Sequence, residues 1–430
     1  MKKEILKKII IEFKEKKIDL KKRFCNNYLD IDKTVTIIGA RRVGKTYFLY
    51  QIIDELLKNN VSIDAILYIN FEDERISFFE TEDFELLLDS FFELNTDYEK
   101  TDKFYLFFDE IQLIDNWEKF IRRLSEDKKY KIYITGSSSK LLSTEIASSL
   151  RGRTLSNYIY PFSFKEFLKY HNYRLNKNDL LSSKRYKLNN YFEEYFKWGG
   201  YPETFSVNED YKLKILQEYY DLIFYKDLLE RFDLRNFYLM KVLMKNLINN
   251  FAAEFSLNKQ YNDIKSQGIK ISKETILNYF SYLCDIHYIY PVSLFSFSIN
   301  QQNLNPKKVY IVDAGLITAN SFLFSENKGR YLENLVAIEL FRRYGMNIYY
   351  HKNKYKCDFL VLKERQIFIA VQICYELTNQ NQIREINGLI EVAEKFGVKK
   401  LLLITRNQED IKQIKNLKIE IVKIEKWLLT

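Results

Sequence analysis

Lys33-Thr-Val-Thr-Ile-Ile-Gly-Ala-Arg-Arg-Val-Gly-Lys-Thr46 is the stretch on which the reading turns. Lys33 to Ile38 is a short β-branched run and predicts a strand. Tyr47 to Leu57 has apolar residues at helical spacing and predicts an amphipathic helix. Between them lie Gly39, Ala40, Arg41, Arg42, Val43, Gly44, Lys45 and Thr46, in the strand, loop and helix order that a phosphate-binding loop needs. Glycine at 39 and 44 frees the backbone to curl around an anion with its N–H groups turned inward. A helix starting near Lys45 aims its positive dipole end at the same anion. Lys45 is expected to reach the β and γ phosphates of ATP, and Thr46 to ligate Mg²⁺. The plain alternative is a glycine turn joining strand to helix, and the full pattern makes it the weaker reading.

Working outward, Ala65 to Phe71 predicts a second strand, ending in Glu72-Asp-Glu-Arg75. Lys103-Phe-Tyr-Leu-Phe-Phe-Asp-Glu110 predicts a third of Walker B form: an apolar run carries Asp109 to a strand tip, where it can join the magnesium shell. Glu110 follows, placed to polarise the attacking water. A fourth strand, Tyr130 to Thr135, leads into Gly136-Ser-Ser-Ser139. Ser137 is the preferred sensor of the γ-phosphate there; the competing reading is a Gly/Ser turn that caps the next helix. Arg151 and Arg153, in Leu-Arg-Gly-Arg, are candidates to stabilise charge on the transferring phosphoryl group, in cis or across a subunit interface. A solvated turn with two cations explains them equally well. Strands alternating with helices in this way give a mostly parallel α/β sheet with the nucleotide at its carboxyl edge.

The order of these segments resembles an archaeal and bacterial ATPase group within the AAA/STAND class of P-loop NTPases, which pairs an AAA-type ATPase with a DUF4143-type C-terminal domain. The residues that carry the resemblance are IIGARRVGKTYFL, ILYINFEDER, YLFFDEIQLIDNWEKFIRRL, the run from IYITGSSS through LRGR to PFSFKEFL, and GRYLENLVAIEL. It runs from about Thr34 to the C-terminus and is weaker in the middle. It implies Walker B, sensor and arginine-finger roles for Asp109, Glu110, Ser137, Arg151 and Arg153, without choosing between the arginines.

The chain has 430 residues, which is too long for one ordinary core. With 47% apolar and 16% aromatic residues it can bury large cores, so general disorder is excluded. The cysteines Cys25, Cys284, Cys357 and Cys374 lack metal-type spacing, which argues against a zinc site or a disulfide framework and favours a reducing cytoplasm. The N-terminus is charged throughout and does not read as a signal peptide, and no segment reads as a membrane span. A net charge of +9 admits contact with nucleic acid or an acidic surface, and lysine-rich solvation explains it equally.

Trp198-Gly-Gly-Tyr-Pro202 reads as a tight turn in the segment following the core. Ser256 to Ile264, a turn at Gly268, and a helix capped by Ser272 suggest a helix-turn-helix. The apolar segments Tyr288 to Phe295 and Lys308 to Asp313 suggest a wing, and the resemblance supports a winged helix. Lys270, Lys273 and Asn278 are then candidates for DNA contact. Protein docking is the alternative role for such a unit.

Beyond residue 325, helices and strands follow in an order resembling the PD-(D/E)xK nuclease fold. Glu333 on a helix and Asp358 at a strand start match two acids of that pattern. Gln372 and Cys374 stand where the pattern has an acid and a lysine, so the charges for metal binding and water activation are missing. Glu376 is a nearby acid that can substitute. The expected architecture is therefore a P-loop ATPase core (1–160), a lid or linker (161–205), a helical and winged-helix region (206–320) and a restriction-endonuclease-like α/β domain (325–430). The expected function is a nucleotide-dependent switch that uses ATP and Mg²⁺ to position the later regions for a protein partner, with assembly into a homo-oligomer left open. The alternative is a DNA-binding or DNA-processing ATPase with a metal-dependent nuclease domain.

Overall fold

The computed structural model describes residues 1–95, 103–136, 150, 152–173, 184–232, 234, 236–321 and 327–430. The chain forms two compact units, Met1–Tyr160 and Pro161–Thr430.

The first unit is built on five parallel strands: β1 (Thr34–Ile38), β2 (Ile66–Asn70), β3 (Phe104–Asp109), β4 (Tyr130–Gly136) and β5 (Thr154–Tyr158), in the order β2-β3-β4-β1-β5. Nearly every residue of β1 to β4 is buried. That follows from their unbroken apolar and aromatic composition, since a parallel sheet is covered on both faces. Helices α1 (Lys2–Glu15), α3 (Asp83–Glu93) and α4 (Trp117–Leu124) contribute to one aromatic core together with Phe71 and Phe108. In it the rings of Phe84 and Phe120 stack at 4.1 Å. Helix α2 (Lys45–Lys58) buries Phe48, Leu49, Ile52 and Ile53. The parallel order places the carboxyl ends of β1, β3 and β4 side by side.

The second unit opens with helices, among them Lys184–Trp198 and Glu209–Leu222. The turn between them, Trp198-Gly-Gly-Tyr-Pro202, proves to be a seat for a buried carboxylate. Asp313 accepts hydrogen bonds from the N–H of Gly200 at 2.7 Å and of Gly315 at 2.8 Å. Gly199 has φ +74°, and a Cβ there would stand 1.9 Å from Asp313 Oδ1. Glycine is therefore required by conformation and by space. Burial pushes the Asp313 carboxyl up to about 7.

Helices α5 (Leu257–Ser266) and α6 (Lys273–Asp285) are joined by a turn with Gly268 at φ +80°. Ser272 caps α6, accepting from the Thr275 N–H at 3.0 Å. Strands β6 (Ala253–Phe255), β7 (Ile289–Leu294) and β8 (Lys307–Ile311) flank them. Two longer helices, α7 (Lys328–Tyr344) and α8 (Gln382–Phe396), accompany β9 (Ile348–Lys352), β10 (Lys356–Lys363), β11 (Gln366–Cys374), β12 (Lys400–Thr405), β13 (Asp410–Ile414) and β14 (Leu417–Lys423). The stretches read apart as 206–320 and 325–430 share one mixed sheet. Its order is β13-β14-β12-β11-β10-β9-β7-β8-β6, joined where β7 runs parallel to β9 at Ser293↔Tyr349. Among the described residues, no helix is long and apolar enough to cross a membrane.

Candidate functional site

The loop between β1 and α2 owes its path to two different constraints. A Cβ on Gly39 would stand 2.1 Å from the Ile159 carbonyl oxygen, and Ile159 N–H bonds the Ile38 carbonyl at 2.7 Å. Gly39 is thus fixed by the chain leaving β5 rather than by ligand curvature alone. Gly44, the N-cap of α2, has φ +91°, and Arg42 is also left-handed at φ 66°. Left-handed residues set among ordinary ones gather successive N–H groups into an anion-binding hollow. Helix α2 adds the positive end of its dipole.

Lys45 is buried, and its Nζ donates to the carbonyls of Gly39 and Ala40 at 3.2 Å each. The same ammonium lies 3.9 Å from Glu110 Oε1. Asp109, at the tip of β3, is fully buried. Its Oδ2 accepts from the Tyr68 hydroxyl at 2.9 Å, and its Oδ1 from Thr135. The Thr46 hydroxyl bonds the same carboxylate. Burial pushes the Asp109 carboxyl above its ordinary value, and the nearby Glu110 charge adds to this, while the three hydroxyl donors oppose it. Thr46 and Asp109 together offer hard oxygen ligands at one point, which suits Mg²⁺.

Glu110 turns out of the strand through a left-handed residue, φ 53°. Non-glycine residues seldom adopt this conformation, and it is found where surrounding structure enforces it. Its N–H donates to Thr135 Oγ1 at 3.0 Å, and its Oε2 accepts from Gln112 at 2.5 Å. One threonine therefore aligns both acids.

Lys45, Thr46, Asp109 and Glu110 are brought together at the carboxyl edge of the sheet. Arg153 is not brought to them within the chain. Its carbonyl pairs with the N–H of Thr34, at the far end of β1 from the loop, about 13 Å away at the usual strand rise. Its guanidinium pairs with Glu126 at 2.7 Å. Of the roles the sequence left open for Arg153, the parallel pairing of β1 with β5 argues against the one in cis. Ser137 and Arg151 lie outside the described residues.

Four residues near the loop carried no role in the sequence reading. Thr135 is the polar residue near the tip of β4, one position before Gly136. Tyr68, on β2, is a polar group inside an apolar strand; its ring stacks on Phe13 at 4.6 Å and its hydroxyl meets that of Tyr50 at 3.1 Å. Arg23 donates to the carbonyls of Val43 and Tyr160 at 2.7 Å each, bracing the loop from an irregular segment. Glu72, at the end of β2, has its carboxyl pushed up chiefly by desolvation, with Glu110 repelling and Arg41 and Lys45 opposing.

In the second unit, Glu333 on α7 and Asp358 on β10 do meet, but around a third side chain. Lys308 Nζ lies 2.8 Å from Glu333 Oε1 and 2.8 Å from Asp358 Oδ1. Gln372 accepts from the Asp358 N–H at 3.2 Å and donates to Glu385 at 2.5 Å. Cys374 sits against the carbonyl of Glu376, whose own side chain is exposed. Among the described residues, no group of three or more His, Cys, Asp or Glu is placed to hold a metal ion.

The sheet, the loop and the acid pair define the first unit as a P-loop ATPase domain, and residues 32–168 match the family described as "AAA domain". Residues 189–327 match a "Domain of unknown function (DUF8612)". An uncharacterized protein of Methanocaldococcus jannaschii is 43% identical over 410 residues, covering 93% of this chain and 89% of its own length. Another, from Haemophilus influenzae, is 30% identical over 404 residues, covering 94% of this chain and 96% of its own length. The chain belongs to the family of these two proteins. Among solved structures, the Walker-type ATPase of Pyrococcus abyssi is similar at 17% identity and a TM-score of 0.44, covering 73% of this chain and 94% of that one.

Proposed function

We propose that this protein is a Mg²⁺-dependent ATPase whose nucleotide state acts as a switch for the second unit. The observation that carries this is the convergence of Lys45, the Thr46–Asp109 pair and Glu110 beside a loop with two left-handed residues. Thr46 and Asp109 are the residues that would hold Mg²⁺; bound there, it supplies positive charge to the phosphate oxygens. Lys45 neutralises the β and γ phosphates. Glu110 orients a water and accepts its proton, held in aim by its backbone bond to Thr135. Ser137 and Arg151 keep their proposed sensor and finger roles, and Arg153 is proposed to act only across an interface between two copies. The later regions, a winged helix and a nuclease-shaped domain without nuclease chemistry, are proposed as the parts the switch repositions for a protein partner.

The test is phosphate release by the full chain with ATP and Mg²⁺, alongside gel filtration and limited trypsin digestion with and without ATP. Glu110→Gln should retain ATP, stop release, and hold the protein in its ATP-bound digestion pattern. A pattern and elution volume indifferent to ATP would refute the switch, while absent ATP binding would refute the whole reading.

A second reading, DNA contact through α5 and α6, is favoured by one observation. Lys265, Lys270, Lys273 and Asn278 are all exposed on this helical pair or its turn. Lys265 and Lys273 also flank the Tyr261 ring, at 5.7 and 5.5 Å. Binding of duplex DNA should then fall steeply with salt, and Lys270→Ala with Lys273→Ala should flatten that slope by about two.

A further inference from the structure

We propose that Lys308 is the resident cation of the acid pair in the second unit, occupying the seat between Glu333 and Asp358 that a two-carboxylate site would otherwise give to a divalent metal. This rests on the nuclease-shaped reading only for the comparison with a metal site; the seat itself is defined by three side chains.

The geometry is that of a filled site. The ammonium bridges one oxygen of each carboxylate at 2.8 Å, and all three side chains are largely withdrawn from solvent. Further protein donors reach the same acids. The Tyr310 hydroxyl donates to Glu333 Oε1 at 2.8 Å, and the Ile373 N–H donates to Asp358 Oδ2 at 3.0 Å. Lys308 and Tyr310 stand two apart on β8 and so face the same side, which is why both reach Glu333. Helix α7 is held in place for this. Asn334, next to Glu333, bonds both the N–H and the carbonyl of Ile311 at 2.9 Å. The position where a third acid would strengthen metal binding is Gln372, which is neutral and engaged with Glu385.

A buried pair of carboxylates needs a counter-charge, because an uncompensated buried charge is strongly unfavourable. Either a metal or an ammonium can supply it. Here the chain supplies it from β8, and the space between Glu333 Oε1 and Asp358 Oδ1 is filled by the ammonium. The ammonium thereby takes the place that a metal for phosphodiester cleavage would need between the two acids. The triad also ties β8 to α7 and β10, joining the sheet segments on either side of residues 320–325.

The experiment uses the full chain without nucleotide, with Mn²⁺ alone as probe and free Mn²⁺ read by electron paramagnetic resonance. Wild type, Lys308→Ala and Lys308→Ala/Asp358→Asn share the same P-loop residues, so any uptake there cancels in the comparison. Lys308→Ala is expected to take up one more Mn²⁺ per chain than wild type, and the double variant to lose it. Equal uptake by wild type and Lys308→Ala overturns the proposal, as does a wild-type Mn²⁺ that disappears in Asp358→Asn. Should Lys308→Ala fail to fold in chelator, its circular dichroism decides: recovery on adding Mn²⁺ supports the proposal, and no recovery overturns it. Because no ATP is present, failure here leaves the ATPase reading standing, and failure of the ATPase assay leaves this one standing.

Discussion

The P-loop edge of the first unit and the Glu333–Asp358 pair of the second are made of the same materials, one lysine and two acids, and they behave as opposites. In the first, Lys45 rests on two backbone carbonyls and stays 3.9 Å from Glu110, while Asp109 takes neutral hydroxyl donors. The Lys45–Glu110 contact is long, and Lys45 also donates to backbone carbonyls, contacts that phosphate oxygens are suited to replace. In the second, Lys308 touches both acids at 2.8 Å, so its charge is answered inside the protein. What makes a binding site is therefore the spacing at which the backbone holds the charges. A lysine and an acid pair brought into contact make a fastening instead.

The largest effect that tests this contrast is on nucleotide affinity. Lys45→Ala should weaken ATP binding at least about a hundredfold, the loss expected when a charge-assisted contact of roughly 3 kcal/mol disappears. Lys308→Ala should leave ATP binding unchanged, and titration calorimetry on both variants checks the pair of outcomes. Glu110→Gln should lower turnover by about 10²–10⁴-fold with ATP affinity retained, as for loss of a general base; single-turnover phosphate release measures it.

Stability should respond the other way round. Lys308→Met leaves two buried carboxylates uncompensated and should cost about 3–5 kcal/mol in urea unfolding. Burial and Asp358 already push the Glu333 carboxyl up, with Lys308 opposing. Without Lys308 it rises further, so the folded state binds the proton more tightly than the unfolded chain. The sign is then fixed: stability is full below the unfolded value of about 4.3 and is lost as pH rises through the higher folded value. The variant's melting temperature should accordingly climb as pH is lowered from 8 toward 5.5, more than that of the wild type. A flat profile would mean that the carboxylates found another counter-charge.

The smallest effect belongs to Tyr68→Phe. Losing one donor to buried Asp109 should cost about 1.5 kcal/mol or more in holding that carboxylate. It should show as a roughly tenfold rise in the Mg²⁺ needed for half-maximal ATPase, with a fall of roughly 3–6 °C in the thermal midpoint.

The legible part of this protein was local. The run from Thr34 to Lys58 declares strand, loop and helix within one continuous segment, because β-branched residues, a glycine-bounded loop and helical periodicity act over a few residues each. Asp109 and Glu110 were legible for the same reason, as an apolar strand ending in acids. Whether Arg153 acts in cis or in trans was left open because a sequence cannot say which end of β1 its strand approaches; the parallel register puts it beside Thr34. Thr135, Tyr68 and Arg23 were missed because their partners lie 26, 41 and 20 residues away. The glycines of Trp198-Gly-Gly-Tyr-Pro202 were visible as a turn, but their cause, the Asp313 carboxylate, lies 113 residues further on.

Lys308 shows the division most sharply. The sequence by itself determined that Lys308 opens an apolar segment running to Asp313, that two acids follow at matching positions, and that the first unit carries a phosphate-loop pattern with an acid pair. Only the tertiary structure decided that β8 joins the same sheet as β10 and turns Lys308 onto both acids. The physical reason is that motif chemistry depends on neighbours along the chain, whereas charge neutralisation depends on distance in space, and distance is set by strand pairing between segments that no local pattern connects.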